Sequence, residues 1–342
     1  MKIWIDILTP KQLLFSEPII ERLEEKHEIL CTSREYHEVS KLAKIRHFDL
    51  IFVGKHGGGD KKSKLKASIE RMGKLSKKIK RFEPDLVISF GSPEAARISF
   101  GLGIKHIMFC DSPHANAVMK LTLPLIQKLL IPYVIPKKEF SKYGIHEKNI
   151  VQYKAIDAAV TMKRKIREDL NSPFKNNNKK NILIRVEEEE AAYTSKSSKI
   201  IPIIQKITKD YKNENVVVLG RYTKQINNLQ KIIGNKVKIV KMSFDGKFLL
   251  NKTDIFIGSG GTMTAESALM GIPTISYNAV PNIVEEFLVK KSLVKRETNP
   301  NKVSNHIKKI FETKNDQNQK RAKKIVKEME DPIEKLIKII KN

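Results

Sequence analysis

The sequence predicts an α/β protein made of two Rossmann-like, doubly wound domains. Short apolar runs alternate with amphipathic stretches, as parallel βαβ units require. The alternation stops in a polar segment at 157–180 and then restarts. With 342 residues, the chain has room for two domains that each bury a core.

In order, KIWIDIL (2–8) reads as a first strand and FSEPIIERLEEK (15–26) as the helix after it. HEILCTS and DLIFVG (49–54) are the next strands. Residues 61–82 carry Leu65, Ile69, Met72, Leu75, Ile79 and Phe82 at three- and four-residue spacing, which predicts one helix with a strongly basic outer face. PDLVISFG (84–91), the helix PEAARISFGLG and the strand KHIMFC (105–110) follow. Residues 1–156 thus form the first domain and 157–180, ending in NSPFKNNNKK, an interdomain linker. The second domain, 181–316, runs NILIRV, a helix over 196–211, NVVVLG, QINNLQKII, KVKIV, FDGKFLLNK, DIFIG, TMTAESALM and PTISY. Residues 317–342 close the chain as a lysine-rich amphipathic helix. Two such domains in tandem predict a central cleft between the carboxyl ends of their sheets, where ligands of these sheets bind.

The formal net charge of +27 would attract phosphate-rich molecules, anionic lipid or nucleic acid, unless it only reflects a lysine-rich genome. Helix 61–82 has the charge for phosphate contacts but no interleaved aromatics, and no RNA- or DNA-reading motif is present, so nucleic acid is not the expected partner. Cys31 and Cys110 lie far apart without metal-ligand spacing, which points to a reducing, cytoplasmic setting. No apolar run reaches the length of a membrane span.

The most informative stretch is DIFIGSGGTMTAESALMGIPTISYN, residues 254–278. A strand runs into Ser259, Gly260, Gly261 and Thr262, and a helix follows. Paired glycines let backbone approach a ligand, and the free amides of a helix start favour an anion. A tight turn with Thr262 as N-cap is the plainer alternative. Neither the G-x-G-x-x-G nor the P-loop pattern is present. Glu266, on the same helix, is placed to meet a ribose while the amides hold phosphates.

S-G-G-T-x-T-x-E-x-x-x-x-G-x-P resembles the nucleotide-sugar site of GT-B-fold enzymes, in particular MurG-type N-acetylglucosaminyltransferases and non-hydrolysing UDP-N-acetylglucosamine 2-epimerases. The whole chain looks most like an uncharacterised, largely archaeal family of chains of about this length in the GT-B group. The resemblance implies a GT-B-like fold and a nucleotide-sugar, of UDP type, as substrate rather than as cofactor. It gives Arg185, at the end of the strand NILIRV, the role of a cation for the diphosphate, and Phe244 that of a stacking partner for the base, with a core Phe as the plainer reading. The run Glu187–Glu190 is read as first-turn helix charge, with Glu187 or Glu188 facing substrate as the alternative.

In the first domain, loops after the strands carry Asp6, His56, Asp111 and His114, with Ser92 and Glu94 beside them. Their shared position predicts convergence on the acceptor side of the cleft, where one of them deprotonates an acceptor hydroxyl. Asp111 and His114 are the favoured pair. The glycine-rich first loop of MurG-like enzymes is replaced here by TPKQ, and the epimerase carboxylate patterns are not reproduced. Glycosyl transfer in cell-surface glycan or glycolipid synthesis therefore ranks above epimerisation, and a non-catalytic nucleotide or nucleic-acid binding protein is the alternative of another class. No D-x-D occurs and the histidines lack ligand spacing, so no metal is expected. VMKLTLPLIQKLLIPYVIPK (118–137) has no acidic residue. With the basic helix it suggests a lipid-linked acceptor met at an anionic membrane surface, against the plainer reading of a buried helix and core strand.

Overall fold

A computed structural model describes residues 1–166, 172–175, 177–187, 199–220, 222–234, 237–241, 245–279, 282–313 and 317–341. The chain divides into two compact units, Met1–Arg164 with Met329–Asn342, and Lys165–Glu328.

The first unit is a seven-stranded parallel sheet in the order β3-β2-β1-β4-β5-β6-β7. Its strands are β1 (Lys2–Ile7), β2 (Glu28–Glu35), β3 (Ile51–Lys55), β4 (Leu86–Ser89), β5 (Lys105–Phe109), β6 (Lys128–Pro132) and β7 (Ile150–Tyr153). The second is a six-stranded parallel sheet in the order β10-β9-β8-β11-β12-β13. It uses β8 (Asn181–Arg185), β9 (Asn215–Gly220), β10 (Lys238–Lys241), β11 (Ile255–Gly258), β12 (Thr274–Ser276) and β13 (Lys295–Arg296). Each sheet reverses strand order once, between β1 and β4 and between β8 and β11. Those switch points open a crevice at the carboxyl ends of the strands.

Helices cover both faces, so the strands are apolar on both sides. In the second unit Ile255 and Ile257 join Ile182, Ile184, Val216 and Val218 in one core. Phe256 joins Leu183, Val217 and Leu219 on the opposite face. Period-two alternation within continuous apolar runs thus builds two cores from one sheet.

The boundaries differ from the sequence reading in three places. The first helix is Pro10–Leu23, started by Thr9, whose hydroxyl accepts from the Gln12 N–H, with Pro10 at the first helical position. Within the expected linker, Ala158–Thr161 is a buried helix of the first unit, and Phe174 packs in a second-unit core. The expected single C-terminal helix is two, Gln317–Lys327 and Pro332–Lys341. Pro332 has no N–H and disfavours helical backbone at Asp331, which favours the break there. After the break Glu330 bonds Lys154 in both directions, and the last helix belongs to the first unit.

His106 on β5 is fully buried, with the Ser89 and Ser99 hydroxyls 2.9 and 3.0 Å from its two ring nitrogens. Burial pushes its pKa down to about 3. The unfolded chain takes up this proton near pH 6.5 and the folded chain does not, so the stability is present above pH 6.5 and lost as pH falls toward 3. We expect the unfolding free energy of His106→Gln to fall less steeply between pH 6 and 4 than that of the parent, by about 1.4 kcal/mol per pH unit. Urea unfolding at stepped pH measures this. Parallel slopes would show that His106 is protonated in the folded state.

Candidate functional site

In the second unit, β11 ends at Gly258 and the helix Thr262–Leu269 begins four residues later. Gly258 has no room for a side chain: a Cβ would lie 2.5 Å from the Phe256 ring and from Thr264 Oγ1. Gly260 takes a left-handed φ of 96°, and its N–H donates to Thr264 Oγ1 at 3.2 Å. Asn282, which caps the next helix, donates to the Gly260 carbonyl at 3.0 Å and so ties the turn down from the other side. The N-cap is Gly261, not Thr262, and no side chain caps the helix. Its first amides are therefore left for an external acceptor. Gly261 is exposed, and a Cβ there would meet only Ser259 Oγ, at 3.9 Å. Ser259 and Thr262 flank it, half-buried.

The other second-unit candidates sit deeper than expected. Glu266 is the fifth helical residue, beyond the first turn, and is 2% exposed. Arg185 is buried and donates to the Gly220 carbonyl at 3.0 Å, at the end of β9. Glu187 is buried with the Tyr277 hydroxyl 2.8 Å from its carboxylate, and it lies outside any described helix, so it is not the first-turn charge expected of it. Phe244 and Glu188–Glu190 lie outside the described residues.

In the first unit the predicted residues do not all converge: Asp111 and His114 share the loop after β5, whereas Asp6 and His56 lie elsewhere. Asp6 is 1% exposed and saturated: Thr32, Ser92 and two Arg71 nitrogens all donate to its carboxylate. Burial opposes its charge, yet Arg71 holds its pKa below the usual range. An acid with every lone pair engaged and no access is a structural counter-ion, not a base. Ser92 and Glu94 belong to the same buried network. His56 follows β3, at the edge of the sheet, and stacks on Tyr36 at 4.7 Å. Asp111 follows β5, four strand steps away, so roughly 19 Å separates them at ~4.8 Å per step.

Around Asp111, however, a cluster does form. Lys11 pairs with both Asp111 and Asp157, the latter at 2.8 Å, and lies 4.4 Å over the Phe90 ring. The Asp157 carboxylate also accepts from the Tyr153 hydroxyl. These groups leave the carboxyl ends of β1, β5, β7 and β4. Gln12 fixes the switch point, accepting from the Leu8 N–H at 2.6 Å and donating to the Phe90 carbonyl at 2.6 Å. A cation in the first turn of a helix opposes the dipole, and the two carboxylates offset that cost. Burial resists the charge on Asp111, but Lys11 overrides it and holds the carboxyl ionised, below its usual range. Asp157 is more deeply buried and stands beside Asp111, which pushes it up to about 6. Burial lowers the His114 pKa, against the pull of Asp111 and with the push of Lys11.

Asp111 is thus an ionised, partly accessible carboxylate backed by a second acid of higher proton affinity. Such a pair is suited to taking a proton from a substrate hydroxyl or carbon. Lys11 and Asp157 were not among the sequence candidates. T-P at 9–10 is a helix-start signal that places Lys11 in the first turn, whereas Asp157 was concealed by the polar stretch that follows it.

A family model described as "Protein of unknown function (DUF354)" matches residues 1–342. The chain belongs to that family. Uncharacterized protein MJ0665 of Methanocaldococcus jannaschii is 29% identical to it, over 100% of this chain and 98% of that protein. Among solved structures, the UDP-GlcNAc 2-epimerase of Neisseria meningitidis bound to UDP-GlcNAc superposes with a TM-score of 0.75 at 16% identity, covering 100% of both chains. The spinosyn rhamnosyltransferase SpnG does so at 0.64 and 12%, again over 100% of both. These matches show the fold, two Rossmann-like parallel-sheet domains as in GT-B epimerases and glycosyltransferases. Among the described residues, no helix is long and apolar enough to cross a membrane. The stretch 118–137 is largely core: Met119, Leu123, Leu129, Leu130 and Ile131 are buried, leaving Leu121 and Tyr133 exposed.

Proposed function

We propose that this DUF354 protein is a nucleotide-sugar-dependent glycosyltransferase that uses a UDP-sugar donor, working in cell-surface glycan or glycolipid synthesis. The observation that carries the reading is the uncapped helix start at Gly261, with open space above it and a turn locked from both sides. The diphosphate accepts from the amides of residues 261–263, and Ser259 and Thr262 supply hydroxyls. Those fixed dipoles neutralise the leaving diphosphate without reorganising. Asp111 takes the proton of the acceptor hydroxyl, and Lys11 holds it ionised. The UDP-sugar ligands named for structures of this fold, and the anionic preference of a helix start, both support a UDP-sugar.

The carboxylate pair also favours a second reading, epimerisation, in which Asp111 and Asp157 exchange a proton with sugar carbon C2. A lipid-linked acceptor at an anionic surface is the finer proposal. Its support is the helix Lys61–Phe82, where Leu65 and Ile69 are exposed among lysines.

UDP at about 100 times its Kd is expected to add about 2.7 kcal/mol of stability and raise the melting temperature. Gly261→Val should remove that rise. Gly261 has a φ of −85° and an unobstructed Cβ position, so the variant folds and only the ligand is crowded. A full UDP-induced rise in the variant would put the diphosphate elsewhere.

A further inference from the structure

Arg34 lies one residue before the carboxyl end of β2, in the first unit. Its side chain is half-buried, and its Nε is shut off from solvent with no hydrogen-bond partner among the described residues. No ion pair of its guanidinium occurs there either. A guanidinium carries five donors, and leaving one buried and unmatched costs about as much as a lost hydrogen bond.

The backbone is built around this position. Strand register between β2 and β3 shifts between Ser33 and Glu35, so that Val53 and Gly54 together face Arg34. Gly54 takes a left-handed φ of 72°, and a Cβ on it would come within 2.9 Å of Arg71 Cβ. Bulges re-aim side chains and gather next to binding sites. Beyond the bulge, Tyr36 and His56 stack at 4.7 Å, and the His56 Nδ1 accepts from the Gly58 N–H at 3.1 Å.

Two acids stand behind Arg34, and neither forms an ion pair with it among the described residues. Asp6 is saturated, as described above. Glu94 accepts from the Ser68 hydroxyl at 2.9 Å through Oε1, while its buried Oε2 lies 3.6 Å from Arg71 Nη1 without a hydrogen-bond partner. Burial disfavours the charge on Arg34, Glu94 and Asp6 support it and Arg71 opposes it. The guanidinium thus has acids nearby but no ion pair of its own among the described residues.

We propose that Arg34 is the anchor of an oxyanion site, taking a phosphate or carboxylate group beside the Tyr36–His56 stack at the carboxyl ends of β2 and β3. A guanidinium pairs with either anion through two parallel N–H bonds. Asp111 follows β5, three strand steps from β2, so roughly 14 Å separates this site from the proposed base at ~4.8 Å per step. An acceptor held at both points carries its anion about that far from its reacting hydroxyl. Assigning the oxyanion to an acceptor rests on the transferase reading, whereas the site itself does not.

The test uses the full-length protein labelled with 15N-arginine, with the Arg34 Nε–Hε resonance assigned from its absence in Arg34→Lys. Inorganic phosphate and acetate, titrated against chloride at equal ionic strength, are expected to shift that resonance saturably, and more than that of Arg71. A resonance that neither anion shifts would overturn the proposal. Glycerol phosphate and phosphatidylglycerol vesicles form the second comparison. Saturation by glycerol phosphate indicates a soluble phosphate ester, and a response to vesicles alone indicates a lipid headgroup. Arg34→Gln should lose phosphate binding yet keep the full UDP-induced rise in melting temperature. Loss of that rise in the parent protein would instead sink the donor reading while leaving Arg34 standing.

Discussion

Asp111→Asn is expected to lower turnover about 10²–10⁴-fold, the usual contribution of a positioned general base. UDP-sugar affinity should stay close to that of the parent, because the donor amides lie in the other unit. A group acting only in the transition state depresses kcat and leaves ground-state binding alone. Asparagine keeps the shape and can still accept from Ser112, whose hydroxyl donates to Asp111 at 2.8 Å. It loses the charge that pairs with Lys11, so Asp157 becomes the sole carboxylate partner of that ammonium. The carboxyl of Asp157 should then fall from about 6, because the neighbouring negative charge that raises it is gone. Turnover retained at the parental level would remove Asp111 from the mechanism. The same preparation separates the two chemistries: hydrogen at C2 of a UDP-sugar that exchanges with deuterated solvent, without any acceptor, identifies epimerisation. Exchange lost in Asp111→Asn would assign that proton transfer to the same carboxylate.

The alternation of apolar runs made the fold legible, because parallel strands covered on both faces have no polar side to dilute the signal. Short edge elements were not legible. β13 has two residues, Lys295 and Arg296, and neither is apolar. The glycine-rich turn was legible because Gly258 and Gly260 are required by packing and by a left-handed φ, constraints that leave a mark in sequence. The first-unit cluster was only half legible. Asp111 stands directly after a strand, but its partner Lys11 comes from β1 and Asp157 from β7, and nothing local announces that β1 and β5 lie two steps apart. His56 failed to join them for the same reason: strand order, which a linear reading does not contain, places it at the far edge. Asp6 failed differently. Its partner Arg71 lies on the helix Lys61–Phe82, where a row of lysines and arginines hid the one cation that turns inward.

That inward turn gives the largest stability effect. Asp6→Ala is expected to cost about 3–5 kcal/mol, since it leaves the Arg71 guanidinium buried at 1% exposure without its bidentate partner. The loss exceeds what the pair itself contributes, because most of it is the desolvation of an uncompensated charge. Replacing both members separates the two quantities. Asp6→Ala with Arg71→Met removes the orphaned cation and fills the space beside Gly54 with an apolar chain of similar length. About half of the lost stability or more should return, as it does when buried pairs are exchanged for packed apolar groups. Glu94 limits the recovery, because it faces Arg71 at 3.6 Å and would keep only the Ser68 hydroxyl. Urea unfolding of the two variants and the parent closes the cycle. A double variant no more stable than Asp6→Ala would show that Arg71 is satisfied by Glu94 and the Val53 carbonyl without Asp6, and that the cost lies in the Thr32 and Ser92 hydroxyls it also receives.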